Sequence, residues 1–237
     1  KTLPLLKELQ ANFPAITTLL FTVNLKWNDS IHDLTPVVYH GKGFVLEELR
    51  NEEANRNFRF KIGPRSFFQT NTEQAEKLYQ LTNSFAELSG TETLYDLYCG
   101  TGSIGIFLSP KAKKIIGVEQ IPAAIEDAKE NAALNGIEKT QFFAGDVIDI
   151  CTDDFFAHHG RPDVIITDPP RAGMHPKLVE KLLEIAAPTI VYVSCNPSTQ
   201  ARDLQALDSL YQVKKVQPVD MFPHTHHIEN IVQLKRR

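Results

Sequence analysis

What the 237 residues lack narrows the possibilities first. There are three cysteines, two methionines and one tryptophan. Cys99, Cys151 and Cys195 fall at neither paired nor Cys-x-x-Cys spacing, which excludes a disulfide scaffold and points to a reducing, cytoplasmic setting. No apolar run approaches the roughly 20 residues that cross a bilayer, so no membrane partner is expected. Basic residues are not in excess: 25 Lys+Arg face 29 Asp+Glu, a formal net charge of −4. On its face that balance speaks against nucleic acid, whose phosphates are held by basic side chains. No methionine opens the chain, Lys1 does, and no charged-then-apolar leader follows it. A fragment or processed product is therefore expected. Internal repeats and low-complexity tracts are absent too. What remains is an ordinary globular composition, 42% hydrophobic and 23% charged, which excludes a disordered or collagen-like chain.

The chain divides by pattern near residue 65. Residues 1–65 open with a short amphipathic stretch (Leu3, Leu5, Leu6, Leu9) and continue with β-branched and aromatic runs at 16–27, 36–40, 43–49 and 58–62. Gly41-Lys42-Gly43 predicts a hairpin turn between the second and third runs. This part reads as a small β-rich piece. A helix capped by Asn71 or Thr72 follows, with Ala75, Leu78, Leu81, Phe85 and Leu88 on one face. Apolar strands are then predicted at 93–98, 114–119, 140–144, 163–167 and 189–194, with helices at 103–108, 122–135 and 176–187. Near-continuous apolar strands spaced by helices mean a doubly wound, mostly parallel α/β sheet covered on both faces. Runs at 211–219 and 228–234, joined without a long helix, predict an antiparallel edge hairpin. Charge divides likewise: residues 1–65 carry nine basic and seven acidic side chains, the remaining residues 16 and 22.

The chemistry-bearing residues sit where predicted strands end. Asp96-Leu-Tyr-Cys-Gly-Thr-Gly-Ser103 follows one strand and opens a helix. Gly100 and Gly102 let backbone approach a ligand closely, and Glu119, ending the next strand, can accept both hydroxyls of a ribose. The loop lacks the full Gly-x-Gly-x-x-Gly of pyrophosphate binders; it resembles instead the S-adenosylmethionine loop of class I methyltransferases, in which an acid at the position of Asp146 faces the adenine amino group. A helix N-cap is the alternative reading of Asp146. Asp168-Pro-Pro-Arg-Ala-Gly173 ends the fourth strand, its prolines fixing Asp168 at the ligand edge. Methyltransferases of base amino groups usually follow Asp-Pro-Pro with a stacking aromatic residue; Arg171 stands there instead and suggests a phosphate or substrate contact. Ser194-Cys-Asn-Pro197 ends the fifth strand and offers Cys195 as a nucleophile, against the usual fate of a free cysteine as a buried small hydrophobe, which is the reading kept for Cys99 and Cys151. His224-Thr-His-His-Ile-Glu229 brings three imidazoles within four residues without partnering ligands, so no metal is expected. Glu229 is a candidate general base, or a solvated surface acid.

Asp-Leu-Tyr-Cys-Gly-Thr-Gly, Asp-Pro-Pro-Arg-x-Gly, Ser-Cys-Asn-Pro and His-x-x-His-Ile-Glu in this order, with Phe67-Phe-Gln-Thr-Asn71 before the first helix, resemble the RNA uridine-5-methyltransferase family from about residue 60 to the end. The chain looks more like the bacterial 23S ribosomal RNA members than the transfer RNA members. The resemblance implies a Rossmann-like class I methyltransferase domain over 66–237 and a partial, RNA-contacting β-rich region over 1–65. It implies that Gln69, Tyr98, Gly100, Gly102, Ser103, Glu119, Asp146 and Asp168 contact S-adenosylmethionine, leaving S-adenosylhomocysteine as product. Cys195 would be the nucleophile toward uracil carbon 6 and Glu229 the proton acceptor, with Phe68 and Arg171 meeting the substrate. Family members carry a separate N-terminal RNA-binding domain, and many a four-cysteine iron–sulfur site; neither is in this chain, and three scattered cysteines supply no such cluster. The expected partner is RNA, most of all 23S ribosomal RNA, and the expected state a monomer. The alternatives are a transfer RNA uridine-5-methyltransferase and an amino-group methyltransferase of the Asp-Pro-Pro type.

Overall fold

The computed structural model describes residues 2–27 and 34–237. Its first part contains α1 (Thr2–Asn12), β1 (Leu19–Phe21), β2 (Val37–His40), β3 (Val45–Asn51), β4 (Arg56–Ile62) and α2 (Thr72–Ala86). An alternation follows: β5 (Thr93–Leu97), α3 (Ser103–Leu108), β6 (Lys114–Glu119), α4 (Pro122–Leu134), β7 (Thr140–Ala144), α5 (Val147–Ile150) and α6 (Asp153–His159). Then come β8 (Val164–Thr167), α7 (Pro176–Ile185), β9 (Thr189–Ser194), α8 (Pro197–Leu207), β10 (Tyr211–Val219) and β11 (Glu229–Arg236).

Among the described residues one seven-stranded sheet has the order β10-β11-β9-β8-β5-β6-β7. The five strands from β9 to β7 are parallel, while β11 runs antiparallel to β9 and β10 antiparallel to β11. This is the doubly wound sheet with an antiparallel C-terminal edge that the sequence pattern predicts. The strands read as continuous apolar runs because both faces are covered. On β9, Val191 and Val193 join a core shared with α2, α3 and α4, whereas Ile190 and Tyr192 join a second core with α7 and α8. Leu94 and Tyr95 on β5 divide the same way, as the two-residue period of a strand requires. The chain winds outward from β5 through β6 to β7, then returns to place β8 on the other side of β5. The carboxyl ends of β5 and β8 therefore diverge, and a crevice opens there.

The N-terminal part departs from expectation. Gly41 and Gly43 do not fold β2 onto β3; β2 pairs with β1, and β3 with β4. Both glycines are left-handed, at φ of 78° and 77°. A Cβ on Gly41 would collide with the Thr17 carbonyl oxygen, and the Gly43 N–H donates to Thr18 Oγ1 at 2.7 Å, so the turn is docked against the residues that lead into β1. The β3–β4 hairpin buries Leu49, Phe58 and Phe60 completely in the core with α2, α3 and α4. The β1–β2 ribbon leaves Val37 and Val38 exposed. Hydrophobic periodicity gives no sign of α5, α6 or α8; the inward residues of α8 are Gln200, Asp203 and Leu207, two of them polar. Among the described residues no helix is long and apolar enough to cross a membrane.

Candidate active site

The turn after β5 is shaped by glycine and by one buried acid. Asp96 Oδ2 accepts the Gly105 N–H at 2.9 Å and so holds the first turn of α3 against the strand end. Its other oxygen is buried without a partner, and burial pushes the carboxyl up to about 7. Tyr98, Gly100 and Gly102 then take φ of 61°, 52° and 76° in quick succession. Left-handed backbone is costly for a tyrosine, and such strain gathers at ligand-binding turns. The space where a Gly100 Cβ would stand is open, whereas one on Gly102 would press on Ala128 and the Phe142 ring at 3.1 Å. Glu119 accepts the N–H groups of Gly100 (3.2 Å) and Ile121 (2.9 Å), one on each carboxylate oxygen. Asp146 accepts the Ile148 N–H at 2.9 Å and is the N-cap of α5, with an exposed carboxylate. Ser103 Oγ lies 2.8 Å from the buried Tyr79 hydroxyl, which ties α3 to α2.

The other half of the edge is built by strand register. Thr167 pairs with both Leu97 and Tyr192, so Tyr98 and Asp168 leave neighbouring strands side by side. Ser194 pairs with Asn230, which places Cys195, one residue beyond β9, next to Glu229 at the start of the antiparallel β11. A cleft of about 480 Å³ collects Phe68, Gln69, Tyr98, Asp168, Arg171, Cys195 and Glu229. Gly100, Gly102, Ser103, Glu119 and Asp146 lie outside its walls, along the β5–β6–β7 part of the same edge. Phe68 packs on Phe60, ring centroids 5.4 Å apart, while Phe67 lines the cleft and is 75% exposed. Phe67 is thus the freer aromatic surface, a distinction that residue type alone does not make.

Charge in the cleft is unbalanced. Burial pushes Asp168 well above the usual carboxylate range, with Glu229 and Asp96 adding to it. Burial raises Glu229 to about 7, and Arg171 is the group that opposes the rise. The Cys195 thiol is pushed up by burial, then by Glu229 and Asp168, again against Arg171. Two acids and a thiol thus share one cation, and burial favours the protonated form of all three.

The residues that sequence reasoning missed are those that fix the two reactive loops to each other. Asn196 Nδ2 and Thr199 Oγ1 donate to the Arg171 carbonyl at 3.0 and 3.3 Å. Arg202 donates to the Ala172 carbonyl at 3.0 Å. Asp203, 3% exposed, accepts the Met174 N–H and the Tyr192 hydroxyl, each at 2.8 Å. All four partners belong to α8 or its cap. Asn196 followed by Pro197 is the signal that could have revealed it, a side-chain N-cap before a proline in the first turn. Among the described residues no three His, Cys, Asp or Glu side chains converge as metal ligands, the histidines before β11 included.

Known proteins resemble the chain over most of its length. The profile of the tRNA (uracil-5-)-methyltransferase family matches residues 35–237. A Bacteroides thetaiotaomicron protein named an uncharacterized RNA methyltransferase is 55% identical over 98% of the chain and 50% of its own length. The chain spans about half the length of the curated relatives it matches. Among solved structures, Pyrococcus abyssi tRNA (uracil-54, C5)-methyltransferase, in complex with S-adenosyl-L-homocysteine, is 33% identical with a TM-score of 0.79, over 95% of this chain and 52% of that one. The M. jannaschii tRNA m1G37 methyltransferase, 16% identical with a TM-score of 0.63 over 97% of this chain and 67% of that one, shares the fold.

Proposed function

The chain belongs to the tRNA (uracil-5-)-methyltransferase family, and from that premise we propose that it methylates carbon 5 of a uridine in RNA, with S-adenosylmethionine as donor and S-adenosylhomocysteine as product. The observation that carries this reading is the meeting of Cys195, Asp168 and Glu229 in one cleft. An amino-group methyltransferase needs neither a thiol nucleophile nor a base set against it.

The donor fits the residues present. Open space over Gly100 admits a ligand against the backbone, and a cleft richer in carboxylates than in cations suits a sulfonium. Gln69, Tyr98, Gly100, Gly102, Ser103, Glu119, Asp146 and Asp168 would hold it; when bound, it supplies an electrophilic methyl group. Carbon 5 of uracil is a poor nucleophile until the Cys195 thiolate adds to carbon 6 and drives electron density onto carbon 5 as an enolate. With burial and then Glu229 and Asp168 raising it, Cys195 rests as a thiol, and Arg171 is the side chain that favours the thiolate. Glu229, near 7, is partly ionised at neutral pH and suited to take the carbon 5 proton after methylation. Loss of that proton expels Cys195 from carbon 6 and restores the free thiolate. A paired base cannot present its face to Cys195, so the uridine is extruded or already unpaired, with Phe67 and Phe68 as stacking surfaces.

The proposed substrate is 23S ribosomal RNA, supported by the motif resemblance; the Pyrococcus abyssi neighbour, named for a tRNA uracil, favours transfer RNA as the second reading. Residues 66–237 carry the catalytic groups, and 1–65, slightly basic, form part of the RNA-contacting surface. A monomer in the cytoplasm that binds RNA weakly through these residues alone completes the proposal. Mass-spectrometric mapping of 5-methyluridine in ribosomal and transfer RNA, from cells with and without the gene, tests it. Loss of one site in 23S RNA is expected; loss from transfer RNA selects the second reading, and no loss in either overturns both.

A further inference from the structure

A second cavity, of about 270 Å³, adjoins the cleft and shares Cys195 and Arg171 as walls. Asn196, His226 and His227 supply its other polar lining. The two hollows differ in charge: Asp168 and Glu229 line the cleft, and no carboxylate lines the second cavity among the described residues. Arg171 Nη2 stands 3.4 Å from His227 Nε2, and the His226 and His227 rings lie 4.2 Å apart between centroids. Arg171 is the cation of this cavity, and burial, Arg171 and His226 all hold the His227 imidazole below its ordinary value. An anion between them would meet the Arg171 charge and imidazole N–H donors, and would favour the charged form of His227.

The chemistry of uridine says which anion. Carbon 6, where Cys195 adds, is bonded to N1, which carries the ribose. The backbone therefore leaves the base at the atom next to the carbon that Cys195 attacks. A phosphate there would be repelled on the cleft side by Asp168 and Glu229, and on the other side would meet Arg171, His226 and His227. Resting on the uridine methylation proposed above, we propose that the second cavity binds a phosphodiester flanking the target uridine, with Arg171, His226 and His227 as its donors. Such contacts fix register along the chain rather than read the base.

Oligonucleotides spanning the methylated uridine test this, made with natural linkages or with an uncharged methylphosphonate on the 5′ or the 3′ side. With the unsubstituted protein, one of the two methylphosphonates raises KM about tenfold and leaves kcat within about twofold. The His226→Ala/His227→Ala variant, which keeps Arg171, raises KM for the natural oligonucleotide severalfold and distinguishes it from the methylphosphonate correspondingly less. His227→Asp, which places an anion in the cavity, raises KM further. Retained S-adenosylmethionine affinity reports that each variant is folded. The site is overturned if the double variant is penalised by the methylphosphonate as strongly as the unsubstituted protein, or if neither change moves KM. Absence of any carbon 5 methylation by the unsubstituted protein would overturn the functional reading, and this site with it.

Discussion

At the end of β6, Glu119 accepts one backbone N–H from the turn after β5 and one from the turn that follows it, and beyond β7 Asp146 accepts one from the first turn of α5. Beyond β8 and at the start of β11, Asp168 and Glu229 line a cleft with Arg171 as its cation, and burial raises both. Four acids at one sheet edge thus serve in two ways. In the first half they hold loop shape beside the glycine turn and keep spare lone pairs for a ligand's hydroxyls. In the second they hold charge that is costly where it sits, the condition a base at neutral pH requires.

The comparison breaks hardest at Glu229. Glu229→Gln is expected to lower methylation turnover by about 10²–10⁴ while a denaturation-resistant protein–RNA species accumulates, visible on a denaturing gel. The pH dependence follows from the sign of the shift. A base must be ionised, and Glu229 ionises as pH rises through about 7, so kcat/KM of the unsubstituted protein climbs across that range. A flat profile from pH 6 to 8 would remove Glu229 from that role.

A smaller effect is expected in the other half. Glu119→Ala removes the acceptor of two loop N–H groups and, on the proposed function, of the donor's ribose, and should weaken S-adenosylmethionine binding about 10- to 100-fold by calorimetry. Unchanged affinity would show that Glu119 serves the loop alone.

The smallest effect sits beneath both halves. Asp96 has a folded value near 7, above that of an unfolded aspartate, so its protonated form stabilises the fold at low pH, and that stability is lost as pH rises through about 7. Asp96→Asn, which keeps an acceptor for the Gly105 N–H, should raise Tm by about 3–6 °C at pH 8 and change it little at pH 4. Equal shifts at the two pH values would show that Asp96 does not titrate with folding.

Much of this was legible in the residues. The five parallel strands announce themselves as apolar runs because both sheet faces are buried, and the acids and the thiol stand at the carboxyl ends where such sheets bind ligands. The helix α8 was not legible, because Gln200 and Asp203 turn inward to hydrogen-bond strand and loop and so erase the apolar stripe. The pairing of β2 was missed because Gly41 and Gly43 mark a turn without saying which strand it docks against. The N-cap reading of Asp146 holds at α5, but residue type could not show that Phe68 leans on Phe60 while Phe67 stands free.

The central claim is that Cys195 attacks the uracil ring. RNA transcribed with 5-fluorouridine tests it directly, since fluorine cannot leave as a proton does and the cysteine–carbon 6 bond persists after methyl transfer. The account predicts that the unsubstituted protein, with S-adenosylmethionine, gives a covalent protein–RNA complex by mass spectrometry, and that Cys195→Ala gives none. Methylation of ordinary RNA by a protein that forms no such complex would contradict it.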